Sequence, residues 1–152
     1  MNAKTMNEDQ LFGRDMKDKD FHTANYFLAS FNPPNPPFGD SFTAEQVRYH
    51  IKESETSGTY RQTIGRILSP ALQITVNIPS NMNPGTYPVS KWDSEKSPTT
   101  CMIAFIADGS IYRDVSGEIT FDVNEQEKVL SATFEVNFNS SVVSGSFSMA
   151  VN

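Results

Sequence analysis

Hydrophobic and polar positions alternate with a period of two along the last third of the chain. Three runs show the alternation, and their apolar or small positions are Gly117, Ile119, Phe121 and Val123; Leu130, Ala132, Phe134, Val136 and Phe138; and Val143, Gly145, Phe147, Met149 and Val151. Successive side chains of a strand point to opposite faces. Because short polar turns separate the runs, we predict an antiparallel meander with one face on a core and the other in water.

Similar patterns predict further strands earlier in the chain. They span His22–Phe31, Val47–Glu53, Tyr60–Leu68, Leu72–Ile78, Gly85–Val89, Thr100–Ala107 and Ile111–Arg113. Gly65 suggests a bulge in the third of these. Pro88 lacks a backbone donor and gives the fifth the character of an edge strand. The sixth is apolar on both faces, which predicts a central, covered strand.

The alternation also assigns side chains to the two faces of a strand, and the stretches outside the strands are rich in proline or polar residues. Leu72, Ile74, Val76 and Ile78 are expected to face inward, with Gln73, Thr75 and Asn77 outward; Val47, Tyr49 and Ile51 are expected inward, with Arg48, His50 and Lys52 outward. Four prolines in residues 32–40 forbid a regular ladder and predict a stiff, extended loop. Residues 1–20 are polar and mixed in charge, with a short helix over Glu8–Lys19 or a tail as the alternatives.

These elements together predict one all-β domain. We expect an antiparallel β-sandwich of roughly eight or nine strands over residues 21–152, with a small calycin-like barrel as the alternative. The 152 residues are enough for a single hydrophobic core without a disulfide. The single cysteine, Cys101, lies in an apolar run and is interpreted as a buried strand residue.

Charge and segment composition narrow the classes of partner. A net charge of −6 argues against nucleic acid or an anionic membrane as the main partner. No run approaches the roughly 18 apolar residues of a membrane helix, and the first 20 residues lack the pattern of a secretory signal. At face value the chain is cytoplasmic, and a mature form without its leader would instead belong to the cell envelope.

Few residues offer catalytic or metal chemistry. The only histidines are His22 and His50, and the latter is expected to be exposed between two cations. No motif for zinc, calcium, a phosphate loop or a nucleophilic serine occurs, so we predict neither a metal nor a cofactor. Glu118 and Asp122 lie about 13 Å apart on one strand face, too far for a glycosidase pair, although Glu135 on the adjacent strand is expected closer to one of them.

A group of aromatic and charged residues near two loops is the candidate binding site. Its members are Tyr87, Lys91, Trp92, Asp93, Tyr112 and Arg113. A tryptophan flanked by charges provides flat apolar area and one N–H donor, which suits a ligand or a partner protein. The alternative is that Trp92 folds back to plug the open end of the sandwich.

The order of several strand and turn sequences resembles one family. An early Phe-rich strand is followed by Leu72-Gln73-Ile74-Thr75-Val76, Pro84-Gly85-Thr86-Tyr87, Ser116-Gly117-Glu118-Ile119-Thr120-Phe121, Ala132-Thr133-Phe134 and Ser144-Gly145-Ser146-Phe147. This succession, over residues 22–151, resembles the small β-sandwich domains of bacterial surface lipoproteins of unknown function. The resemblance implies the fold and no catalytic residue.

The expected function is therefore binding without catalysis. We predict a soluble domain that binds a protein partner or a glycan through its loops, its polar sheet face or an edge strand. A small-barrel carrier of an apolar ligand and a hydrolase that uses surface carboxylates are the alternatives. If the Ser-rich last strand is an edge, it is also expected to pair with a second copy or a partner strand.

Overall fold

The computed structural model describes residues 3–5, 25–54, 58–91 and 100–151. Within this part of the chain there are twelve strands and no helix. The strands are β1 (Ala3–Thr5), β2 (Tyr26–Asn35), β3 (Gly39–Thr43), β4 (Gln46–Ser54), β5 (Gly58–Ile67), β6 (Leu72–Pro79), β7 (Gly85–Ser90), β8 (Cys101–Ala107), β9 (Ser110–Tyr112), β10 (Ser116–Asn124), β11 (Val129–Phe138) and β12 (Ser141–Ala150). The prediction of an all-β protein is confirmed.

All of these strands belong to one sheet. The order is β3-β2-β12-β11-β10-β7-β8-β6-β5-β4, with β9 beside β8 and β1 beside β9. Neighbours are antiparallel except for β7 and β8, which are parallel over two residue pairs. The sheet is strongly curled into a half-barrel. Its two terminal strands, β3 and β4, are consecutive in the chain, and between them the Ala44 N–H donates to Phe27 O at 3.0 Å and the Glu45 N–H to Arg66 O at 2.9 Å.

The face inside the curl, here called the inner face, is lined by aromatic rings. Phe105 of β8 stacks on Phe138 of β11 with ring centroids 4.2 Å apart, and Phe27 of β2 stacks on Phe147 of β12 at 5.2 Å. All four rings are buried. Since β8 and β11 are not neighbours in the sheet, the first pair packs one part of the curl against another.

Two glycines on the inner face leave room for these rings. A Cβ atom on Gly145 would lie 2.1 Å from Phe134 Cζ, and one on Gly65 would lie 2.8 Å from Phe27 Cγ. Both distances are far below van der Waals contact, so neither position tolerates a side chain without movement of a ring. The bulge predicted at Gly65 is wrong, because β5 keeps an unbroken register with both β4 and β6. The glycine instead makes room for Phe27.

The predicted C-terminal meander is confirmed as β10, β11 and β12. The predicted inward positions of β11 are all buried, and its residues Thr133, Glu135 and Asn137 are exposed. The last strand, which the sequence left as a possible edge, is not one, since β12 pairs with β11 on one side and β2 on the other. β7 lies between β10 and β8 in the sheet, but among the described residues only Val89 and Ser90 pair with β8, so the edge character predicted around Pro88 holds for Gly85–Pro88.

The proline-rich stretch differs from the predicted loop. Pro33 and Pro34 lie within β2, which continues to Asn35 and turns back into β3. The register between β2 and β3 is irregular from Ser30 to Asn35. Prolines are tolerated at such a break because the missing N–H groups leave no regular ladder bond unmade. Leu28 and Tyr26, on the opposite face of β2 from Phe27, are 42% and 44% exposed.

Two strands are buried along their whole length. Every residue of β6 and β8 is buried, which confirms the central position predicted for β8. The prediction that Gln73, Thr75 and Asn77 lie in water is wrong, because they are buried on the opposite, outer face. Ile51, predicted inward, is 50% exposed. The predicted helix over residues 8–19 lies outside the described residues.

Candidate functional site

Tyr87, one of the predicted site residues, packs against the core. Its ring stacks on Phe121 with centroids 5.8 Å apart, and its hydroxyl donates a hydrogen bond to Asn83 O at 2.7 Å. The ring and the hydroxyl of Tyr87 therefore both help to hold β7 and the preceding turn together. Tyr87 is half-buried, and its role in binding stays a prediction.

The other described members of the predicted site lie in different surroundings. Tyr112 makes an edge-to-face contact with Phe138, with centroids 5.7 Å apart. Arg113 is half-buried and Lys91 is exposed. Trp92 and Asp93 lie outside the described residues, so their role as a loop anchor stays a prediction. Tyr87 and Tyr112 thus contact separate core rings rather than a shared surface.

A groove on the outer face of the sheet is the strongest candidate site. It encloses about 640 Å³ and runs across β10, β11, β12, β2 and β3. We call it the polar groove, and its lining residues are Leu28, Ala29, Ser30, Ser41, Phe42, Thr43, Glu118, Thr120, Thr133, Phe134, Glu135, Ser144, Gly145 and Ser146. The polar members occupy the outward positions of strands whose inward positions form the core.

Two carboxylates lie together in this groove. Glu118 of β10 is directly opposite Glu135 of β11, and both are exposed. Directly opposed residues of antiparallel strands have Cβ atoms about 4.5–5.5 Å apart. Asp122, by contrast, is opposite Ser131 and outside the groove. Glu135 was expected to lie closer to one of the two residues Glu118 and Asp122 than they lie to each other. This is confirmed, and the residue is Glu118.

Hydroxyl groups surround the two carboxylates. Thr120 and Thr133 are opposite each other next to the glutamates, and Thr120 Oγ1 shares a hydrogen bond of 2.8 Å with Thr86 Oγ1 on β7. On the other side Ser144 is opposite Glu135. These hydroxyls can donate or accept, so the groove offers a row of polar groups that spans several strands.

Exposed apolar side chains lie in the groove and beside it. Leu28 and Tyr26 lie on the outer face of β2, and Val142 on that of β12, each more than 40% exposed. Tyr26 is two residues from Leu28 and therefore on the same side of the strand. A flat aromatic ring beside a polar groove can pack against the apolar side of a ligand whose polar groups face the carboxylates.

The histidine that the sequence singled out is bound within the sheet. His50 Nε2 lies 2.5 Å from Gln62 Oε1, and Gln62 Nε2 donates to Asn77 Oδ1 at 2.9 Å. His50 is part-buried, so the prediction of an exposed histidine is wrong. Its companion His22 lies outside the described residues. Among the residues that the structure describes, no group of three or more His, Cys, Asp or Glu side chains is placed to hold a metal ion.

The groove could have been found from the sequence only with the strand register. The outward Glu118 and Thr120, Thr133 and Glu135, and Ser144 and Ser146 are visible in the alternation of three consecutive strands. Which of them are neighbours depends on the turn lengths. The contribution of β2 and β3 depends on a pairing between β2 and β12, more than 100 residues apart in the chain.

The described structure thus defines an all-β domain with a polar groove on the outside of a curled sheet. Comparison of the chain with protein-family models, with curated proteins and with solved structures gave no match. In the described residues no helix has the length and apolarity needed to cross a membrane.

Proposed function

We propose that the protein is a non-catalytic binding domain that takes a glycan in the polar groove. The observation that supports this most is the opposed pair Glu118 and Glu135 in a groove that Ser and Thr hydroxyls line together with several apolar side chains. Sugar hydroxyls are donors that a carboxylate accepts strongly, since hydrogen bonds to charged groups contribute more than neutral ones. A glycan that bridges the two carboxylates would also place hydroxyl donors between these two like charges.

The composition of the groove favours a glycan over a protein partner. Energetically important residues of protein interfaces are enriched in Trp, Tyr and Arg that fill pockets at the centre. The residues that line this groove include no Trp, Tyr or Arg, and they combine Glu, Thr and Ser with the apolar Leu28, Ala29, Phe42 and Phe134. That arrangement suits the alternating polar edges and apolar faces of sugar rings.

We also propose that the curled sheet closes on itself as a filled sandwich rather than as an open carrier barrel. The close stacking of Phe105 on Phe138 across the interior supports this view. Stacked rings at that separation leave no room between them for a fatty ligand. The resemblance to surface lipoprotein domains stays a prediction, and a filled sandwich is compatible with it.

A hydrolase that uses the same two carboxylates is the second candidate. A retaining glycosidase holds its carboxyl groups roughly 5–5.5 Å apart, which directly opposed strand residues can reach. A general acid also needs an environment that keeps it protonated near neutral pH. Glu118 and Glu135 are both exposed on the outer face of the sheet. We therefore favour binding.

Affinity electrophoresis in gels that contain soluble xylan, mannan or mixed-linkage β-glucan tests the proposal. We expect retardation by at least one of these polysaccharides, and a roughly tenfold weaker affinity in Glu118→Gln and Glu135→Gln. Asp122→Asn is the matched control, since it removes the same charge from the same sheet face outside the groove. If no polysaccharide retards the protein, or if all three variants behave alike, the groove is not a glycan site. Release of reducing sugar that is lost in Glu135→Gln would instead favour the hydrolase.

A further inference from the structure

The outward residues of the polar groove form two rows that cross the sheet side by side. The strand register gives one row, from β10 to β3, as Glu118, Glu135, Ser144, Ser30 and Ser41. It gives the other row as Thr120, Thr133, Ser146, Leu28 and Thr43. Each row crosses from β10 through β11, β12 and β2 to β3, which at about 4.8 Å for each interstrand step is about 19 Å. An extended ligand in the groove would contact both rows at each strand that it crosses.

The charge in these two rows is confined to one end of the groove. Glu118 on β10 and Glu135 on β11 begin the first row, and the remaining members of both rows are Ser, Thr and one Leu. The residues that line the groove include no Lys, Arg or His. We call the part of the groove on β10 and β11 the acidic end, and the part on β12, β2 and β3 the neutral end.

The described strands around the acidic end add negative charge and no positive charge to this face. At the outward positions of β2, β3, β7, β10, β11 and β12, the charged residues are Glu118, Asp122 and Glu135. The uncharged Pro88 and Ser144 flank the two glutamates on β7 and β12. A surface with charges of one sign attracts ligands of the opposite sign. The groove therefore favours a cationic ligand and disfavours an anionic one, such as a glycan rich in carboxylates.

The register of Glu118 and Glu135 suits an ammonium group between the two carboxylates. Directly opposed residues have Cβ atoms about 4.5–5.5 Å apart. A charge-assisted N–H···O bond is about 2.8 Å long, so two oxygens that accept from one nitrogen are at most about 5.6 Å apart. An ammonium group has three donors, whereas a hydroxyl has one. A single amino group can thus bridge both glutamates and balance their charge, which a single sugar hydroxyl cannot do.

The neutral end offers contacts that do not depend on the charge of a sugar. Its Ser and Thr hydroxyls can donate to or accept from sugar hydroxyls. Leu28, 42% exposed, provides apolar area for the C–H face of a sugar ring. Neutral and amino sugars share these features. Discrimination between the two kinds of sugar therefore falls to Glu118 and Glu135 at the acidic end.

We propose that the polar groove selects a glycan that carries a protonated amino group, as a glucosamine unit does. The ammonium lies between Glu118 and Glu135, and the neighbouring sugars extend across β12, β2 and β3. This inference rests on the proposed function of the groove as a glycan site. It adds the chemical class of the sugar and the direction in which the ligand lies, with its amino group at the acidic end.

Isothermal titration calorimetry with two tetrasaccharides of N-acetylglucosamine tests the selection. One tetrasaccharide is fully acetylated, and the other has lost one acetyl group and carries one free amine. At about pH 6, where such an amine is protonated, we expect the amino form to bind about tenfold more tightly at low salt. The preference should shrink at high salt, because exposed charges are screened, whereas the affinity for the acetylated form should change little.

Three kinds of variant locate the source of the preference. Glu118→Gln and Glu135→Gln should each weaken binding of the amino form by about tenfold more than that of the acetylated form, so that the preference disappears. Asp122→Asn changes the net charge by the same amount outside the groove and should keep the preference, which separates a local effect from the overall charge. Leu28→Ser, at the neutral end, should weaken both tetrasaccharides by the same factor.

The outcomes separate this inference from the glycan site itself. Equal affinity for the two tetrasaccharides, or a preference that survives both Gln variants, overturns the selection of an amino sugar and leaves the glycan site in place. Binding of neither tetrasaccharide also overturns it, and retardation by the neutral polysaccharides then decides whether the glycan site stands. Ethanolamine, an ammonium group without a sugar ring, should compete poorly because it does not reach the neutral end. Competition as strong as that of the amino tetrasaccharide would show that the groove binds cations rather than a glycan.

Discussion

Glu118 and Glu135 face each other across the β10–β11 ladder, with no opposite charge between them in the register. Pro88 is the residue beside Glu118 on β7, and Ser144 is beside Glu135 on β12. Like charges directly opposite on a sheet are destabilising. We therefore expect the pair to lower the stability of the free domain, a cost that the proposed binding of sugar hydroxyls between the carboxylates would offset.

Removal of one charge from this pair should stabilise the free protein. We expect Glu118→Gln to raise the free energy of unfolding by roughly 0.2–1 kcal/mol at low salt, with a smaller gain at high salt because exposed charges are screened. Urea denaturation at two salt concentrations measures this. Asp122→Asn, opposite Ser131, should give a smaller change. A loss of stability in Glu118→Gln would show that the two carboxylates do not repel each other. Stabilisation together with weaker glycan binding would identify the pair as functional rather than structural.

The packing of Phe134 against Gly145 makes a second prediction. Gly145→Ala places a Cβ 2.1 Å from Phe134 Cζ, so the ring must move within a filled core, at a cost of about 1–3 kcal/mol in the free energy of unfolding. A smaller side chain at residue 134 should relieve this clash. Phe134→Leu should therefore be less destabilising in the Gly145→Ala background than in the natural chain, as measured by a double-mutant cycle of urea midpoints. Additive effects would mean that the two residues do not compete for the same space.

Local alternation predicted the core but not the partners of the strands. Ile119, Phe121 and Phe134 were assigned to the interior by period alone, and the structure buries all three. The same pattern misassigned Thr75 and Asn77, because a polar residue at an alternate position indicates the opposite face and not whether water reaches that face. Burial of the outer face depends on what lies over it, which a strand pattern does not contain.

Long-range pairing accounts for the remaining differences. Phe27 pairs with Phe147 in the ladder between β2 and β12, which turns the last strand from a possible edge into a central one. No local signal in Ser144-Gly145-Ser146 distinguishes the two cases. The polar groove depends on this pairing as well, since β2 and β3 form one of its sides. The carboxylates were visible in the sequence, whereas their juxtaposition required the register.

The buried thiol of Cys101 predicts how stability responds to alkaline pH. The side chain is 0% exposed, and burial raises its pKa from 9.0 to about 12. Its S–H donates to Met82 Sδ at 3.6 Å. In the unfolded chain the thiol ionises above pH 9, whereas in the folded protein it stays neutral to about pH 12. The stability that this group contributes is therefore fully present below pH 9 and is lost as the pH rises from 9 towards 12.

Cys101→Val, which keeps a small apolar side chain, should flatten this part of the pH dependence. Urea denaturation at pH 8 and pH 10.5 should show a smaller loss of stability in the variant than in the natural chain, and the difference between the two proteins removes the contribution of lysines and tyrosines that ionise in the same range. The folded natural protein should also react with a disulfide reagent at pH 8 only as fast as it opens, because the thiolate is the reactive form. Equal pH dependence in both proteins, or rapid reaction of the folded thiol, would contradict the burial of Cys101 on the inner face.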